Sequence, residues 1–247
     1  MNELPAKIKR RMAALQAMAA DTSSEQEAMA AARRLHALLA EYNMSEFKLD
    51  DEPEIEKESF EVGHDRLGIW AGRIAMGIAE LYFCKVYQMP TVGKGKNRTR
   101  RFFVTGNSNY RTSAMIMINS VIDAVYHESK HSSMTERPKG VDGWSYICSF
   151  RNAAGLRIQL RCEELVAQAR KGELLNEETG TNLPVLASAY DKAFTDIDAF
   201  NAHLKLRSGG QKSAAADPFG AVNGRAFGDK VGLRSGIGKT TSARLLA

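Results

Sequence analysis

The passage from Arg101 to Val125 limits the fold more than any other, because a strand pattern there runs directly into a helix pattern. Phe102, Phe103 and Val104 favour a pleated, half-buried strand. Gly106-Asn107-Ser108-Asn109 then turns the chain, with Ser108 or Asn109 suited to cap a helix starting there. Ala114, Ile118, Val121, Ile122 and Val125 recur at helical spacing and define a stripe that must be buried. A strand and helix so joined have to share a core, which excludes both a pure bundle and a pure sheet protein.

The strand has an upstream partner. Phe83 to Met89 is rich in aromatic and β-branched residues and stops at Pro90, and Arg101 to Thr105 returns after the basic loop KGKNRT, which makes a β-hairpin. Before it, Leu67, Trp70, Ile74, Ile78 and Leu81 mark an amphipathic helix. Earlier still, EIEKESFEV alternates like an exposed edge strand inside an acidic connector. After the long helix comes a polar loop at 132–142, then a helix from Trp144 to Lys171 with Ile147, Ala154, Ile158 and Leu165 on one side. Its small centre, Asn152 to Gly155, suits a close crossing. Leu186 to Leu204 is a further helix carrying Tyr190, Ala193, Ile197, Phe200 and Leu204.

At the N-terminal end Ile8, Met12, Leu15 and Met18 form one stripe, and Ser24 with Glu27 forms a capping box that opens a second, Ala-rich helix. The short D-T-S-S turn between them predicts an αα-hairpin. From Gly209 onward the Gly, Ser and Ala content reads as a mobile basic tail. Gly220, Gly224, Gly228 and Gly232 recur every four residues, a spacing that fits either close packing on another backbone or, the preferred reading, a glycine-rich loop. The expected architecture is α+β and predominantly helical. It comprises an αα-hairpin domain (1–46), an acidic connector (47–64), a main domain of helix, β-hairpin and further long helices (65–206), and a flexible tail (207–247).

The segment KIKRRMAALQAMAADTSSEQEAMAAARRLHALLAEYNMS, with its basic first helix, D-T-S-S-E turn and Y-N-M-S exit, resembles the N-terminal hairpin of a phage and bacterial family known as domain of unknown function twenty-seven eighty-six. Trp70, F-F-V-T-G, S-F-R-N-A-A-G and the C-terminal glycines resemble the companion region that comes after that hairpin in phage proteins. The resemblance implies a mobile-element setting and brings no established reaction with it.

At 247 residues, 44% hydrophobic and 26% charged, the composition is that of an ordinary globular protein. No stretch reaches the ~18 apolar residues of a membrane span, and no signal-peptide pattern opens the sequence, so a cytoplasmic setting in a host cell is expected. Cys84, Cys148 and Cys162 are odd in number and widely spaced, which predicts buried free thiols. The net charge of +5 is unevenly distributed: acids crowd 50–65, whereas Lys94, Lys96, Arg98, Arg100 and Arg101 have no acid among them. Such segregation points to a polyanionic partner.

Two chemistries compete for the central stretch. The basic loop, with Phe103 or Phe102 beside it and Tyr82 or Tyr87 across the hairpin, offers phosphate neutralisation next to rings on which bases can stack. Because strand side chains alternate, one phenylalanine can be core while the other is exposed. The other candidate is His127-Glu128-x-x-His131, in which two histidines four apart on a helix can share zinc while Glu128 acts as general base. At about 100° per residue, however, His127 lies about 180° from Ile118 and so opposite the buried stripe. The middle pair is Ser129-Lys130, and a third ligand would have to be recruited from Glu163 or Glu164. Gly236 to Thr241 ends like a P-loop but has Leu233 where the first glycine belongs. The expected function is a non-enzymatic phage or prophage accessory protein that binds nucleic acid through Lys94, Lys96, Arg98, Arg100, Arg101 and Phe103. No cofactor is expected. The alternatives are a zinc-dependent hydrolase, or a module docking on a phage or host protein.

Overall fold

The computed structural model describes residues 55–62, 68–89, 99–173, 186–204 and 217–233, with isolated helical positions between 10 and 38. In chain order they form β1 (Ile55–Val62), α1 (Ile69–Leu81), β2 (Lys85–Gln88), β3 (Arg100–Asn107), α2 (Ser108–Thr135), α3 (Gly143–Lys171), α4 (Ala187–Asn201) and α5 (Pro218–Lys230). The fold is α+β and predominantly helical, and among the described residues there is one antiparallel sheet, in the order β1-β3-β2. β1 is the edge strand expected of EIEKESFEV, but it belongs to the sheet rather than to a connector, pairing along its whole length with β3 from Ile55 opposite Asn107 to Val62 opposite Arg100. β3 is therefore the central strand.

The apolar periods place the core as the sequence predicts. Trp70, Ile74 and Ile78 of α1, Phe102 and Val104 of β3, Ile118, Val121 and Val125 of α2 and Tyr146, Phe150 and Ile158 of α3 are buried together. Leu15, Ala31 and Leu35, among the isolated N-terminal positions, join the same cluster. The hairpin organisation of 1–46 itself lies outside the described residues. The strand expected from Phe83 starts only at Lys85, because Phe83 adopts a left-handed backbone with φ 55°. That conformation costs a non-glycine residue about 1–3 kcal/mol, and it is held by burial of the ring against Tyr190 at 4.2 Å and Tyr110 at 4.9 Å.

α2 continues to Thr135 through residues that read as a polar loop. The reason is that its buried hydroxyls are satisfied. Ser129 donates to the Tyr126 carbonyl at 2.8 Å and accepts from Arg151 Nε at 2.8 Å. Arg151 is itself buried, with its guanidinium 4.7 Å from the Tyr126 ring and 5.6 Å from that of Trp70. Ser132 donates to Glu136 at 2.7 Å and meets Tyr146 Oη at 2.8 Å, while Asn223 Nδ2 donates to Tyr146 Oη at 2.7 Å and to Glu136 at 2.9 Å. This network ties α2, α3 and α5 together.

α3 is capped at one end by the Asp142 carboxylate, which accepts from the Ser145 N–H at 2.7 Å, and at the other by left-handed Gly172. Its small centre crosses α1 closely: a Cβ on Gly155 would stand 2.7 Å from the Trp70 carbonyl oxygen. The segment 217–233, expected as part of a flexible tail, is instead helix α5 packed along α3. Gly220, Gly224 and Gly228 face Tyr146, Phe150 and Ala154, and a Cβ at Gly224 would lie 2.8 Å from the Phe150 Cα. Asp217 accepts from the Gly220 N–H at 2.6 Å and donates its own N–H to Ser149 Oγ at 3.0 Å. Arg161 Nη1 donates to the Gly228 and Val231 carbonyls at 2.6 and 2.7 Å, closing the other end. Residues 207–216 and 234–247 lie outside the described residues. Among the described residues no helix is long and apolar enough to cross a membrane.

Candidate nucleic-acid interface

Alternation gives the sheet two unlike faces. One packs on α1 and α2: Phe102 stacks on Phe60 at 5.2 Å, and Arg111 of α2 pairs with Glu56 at 2.6 Å and Glu58 at 3.3 Å. The other carries three transverse rows, set by strand register about 7 Å apart. The middle row is Ser59, Phe103 and Tyr87, with Ser59 and Tyr87 both opposite Phe103. On one side of it lie Lys57, Thr105 and Lys85, and on the other Glu61 and Arg101.

Phe103 and Tyr87 stack on each other at 5.0 Å with planes 8° apart, and both rings are half-buried. Partial desolvation pushes the Tyr87 phenol above its usual range, so it stays a neutral donor. Arg101 is exposed at the loop end of β3 and donates through Nε to Glu61 at 2.7 Å. Helix α4 leans on the opposite end of this face. Lys85 Nζ meets Asp198 at 2.6 Å and lies 5.1 Å from the Phe194 ring. At that end Thr105 Oγ1 is buried without a hydrogen-bond partner among the described residues, as is Asn201 Oδ1 of α4. The part of the face left open is the aromatic row, the Arg101 row and, at the edge of the third row, the exposed Lys57.

Of the residues singled out by sequence, Phe103 is on the open face and Arg101 beside it, whereas Phe102 fills the core. Tyr82 is buried and unavailable for stacking. Arg100, expected in an exposed turn, begins β3 and is half-buried. Lys94, Lys96 and Arg98 lie outside the described residues. Lys57, Ser59 and Lys85 were not singled out. Their signal was the alternation of EIEKESFEV, but placing them beside Phe103 requires knowing that β1 pairs with β3.

The His127-Glu128-x-x-His131 string lies on α2 with both histidines exposed and Glu128 half-buried. Ser129 between them turns inward to Arg151. Glu163 accepts from Gln159 at 2.9 Å and Glu164 pairs with Arg157 at 3.3 Å. Among the described residues no group of three or more His, Cys, Asp or Glu side chains is arranged to hold a metal. All three cysteines are free thiols. Cys84 and Cys162 are buried as expected and Cys148 is half-buried; burial raises the pKa of each, that of Cys162 to about 12, which favours the protonated thiol.

Comparison of the chain with protein-family models, curated proteins and solved structures finds no match. The functional reading therefore rests on the residues of the sheet face. In class this is a helical α+β protein presenting a sheet face that carries Phe103, Tyr87, Lys57 and Arg101.

Proposed function

We propose that the chain is a non-enzymatic nucleic-acid-binding accessory protein, serving a phage or prophage, whose binding surface is the open sheet face and the Lys94–Arg101 loop. The observation that carries the reading is the Phe103–Tyr87 pair on the outer side of the β2–β3 ribbon, adjoining Arg101 at the point where the chain leaves for the basic loop. Rings on a strand surface next to cations form a stacking platform with charge neutralisation beside it. The phage setting comes from the resemblance of the N-terminal hairpin.

Changing Lys94, Lys96, Arg98 and Arg101 together to Ser tests the reading. Arg100 is kept because it is half-buried. The loss of the exposed Arg101–Glu61 pair is worth at most about 1 kcal/mol, so the variant should fold. Its affinity for nucleic acid should fall about ten-fold or more at about 0.1 M salt. Retained affinity would refute the surface assignment.

A further inference from the structure

The two sides of the Phe103 ring on the open face are unequally covered. Phe103 is covered on its β2 side by Tyr87. On its β1 side the register partner is Ser59, exposed and too small to cover a ring. The flanking positions on β1 are Lys57 and Glu61, one row away on either side, so the place over Ser59 is bordered along β1 by longer side chains. The result is a slot beside Phe103 and over Ser59, bordered along β1 by Lys57 on one side and on the other by Glu61 with its partner Arg101.

We propose that this slot takes one unpaired base of a single-stranded nucleic acid, stacked on the β1 side of Phe103, with the neighbouring phosphates at Lys57 and Arg101. The proposal rests on the function given above and narrows it to single strands. In a duplex both faces of each base are occupied by its neighbours and only edges are offered in the grooves, so a paired base cannot enter the slot. A single strand can turn a base face onto an aromatic ring while its backbone tracks the cations. Charge selects the same occupant over an acidic or apolar peptide. Lys57 and Arg101 flank the slot, and Glu61 is the one acid in its row. Because Arg101 already contacts Glu61, an arriving phosphate replaces one anion by another at that guanidinium. Stacking, and not charge alone, should therefore carry a measurable share of the affinity.

Fluorescence anisotropy with three labelled probes tests this: oligothymidylate of about 12 nucleotides, an abasic phosphodiester of the same length, and a duplex of the same length. The parent protein should bind oligothymidylate about ten-fold more tightly than the abasic probe and more tightly than the duplex. Ser59→Phe places a ring in the slot at an exposed edge-strand position, and it should bring oligothymidylate binding down to the abasic level. Duplex binding as tight as that of oligothymidylate, or equal binding of the abasic probe, would overturn the slot while leaving the wider function standing. Failure to bind any probe would overturn both. The parent comparison decides the question even if Ser59→Phe does not fold.

Discussion

Replacing Gly224 by Ala should destabilise the protein, although at most helical positions the same change stabilises. The gain is general: alanine in a helix interior is favoured over glycine by about 0.5–1 kcal/mol. The loss is local. A Cβ on Gly224 would overlap the Phe150 carbonyl oxygen and stand 2.8 Å from the Phe150 carbonyl carbon and Cα, whereas ordinary contact begins at 3.4 Å. These are backbone atoms of a capped helix, so no side chain can swing aside. α5 and α3 would have to part by about 0.6 Å or more, and a gap of that order forfeits roughly a quarter to a half of each dispersion contact it opens. Overpacking of this kind costs about 1–3 kcal/mol, leaving a net loss of about 1–2 kcal/mol. For a chain of this size that lowers the melting temperature by about 2–8 °C. Differential scanning fluorimetry gives the shift, and amide exchange over 217–233 locates it: those amides should be protected in the parent and faster in the variant. A Gly224→Ala protein that melts higher, or parent amides in 217–233 that exchange as fast as an open chain, would refute the packed helix.

Arg151→Met should cost about 2–3 kcal/mol in chemical denaturation, since it removes the bond to Ser129 and the contacts with Tyr126 and Trp70 inside the core; a loss below about 0.5 kcal/mol would remove Arg151 as the support of the α2 end. Glu80 has its pKa raised by burial first and by Glu163 second. Its folded pKa thus exceeds its unfolded one, so its ionisation opposes folding above that pKa and the penalty disappears below the ordinary carboxylate range. Glu80→Gln should therefore raise the melting temperature slightly at neutral pH and not at acidic pH, and an equal shift at both would contradict this. Metal analysis of chelator-treated, zinc-resupplied protein should find well under one equivalent, and His127→Ala should leave the melting temperature nearly unchanged; stoichiometric zinc lost in that variant would move the hydrolase reading to first place.

The parts of the fold held by large apolar side chains are legible in the sequence. α1, the first five turns of α2, α3 and α4 can be read from residues such as Ile74, Ile118, Ile158 and Ile197, whose spacing declares a buried face. α5 is hidden because its buried face is Gly220, Gly224 and Gly228. Periodicity counts side chains, and a face made by their absence looks like a linker. The end of α2 is hidden for a related reason. Ser129 and Ser132 read as solvated until Arg151 and Tyr146, some 14 to 22 residues later in the chain, are known to meet them. At the candidate interface Phe103 and Arg101 are readable from the hairpin alone. Ser59 and Lys57 are not, because their contribution depends on a register between strands separated by α1 and β2.

The central claim is that cations of the β2–β3 loop meet phosphates, and the salt dependence of single-strand binding tests it most directly. Each phosphate neutralised on a single strand contributes about −0.7 to the slope of log K against log salt, so engagement by Lys94, Lys96, Arg98 and Arg101 predicts a slope of about −3. In the variant with those four residues changed to Ser the slope should shrink in magnitude by about 2–3. A flat salt dependence in the parent, or the same slope in parent and variant, would contradict the account.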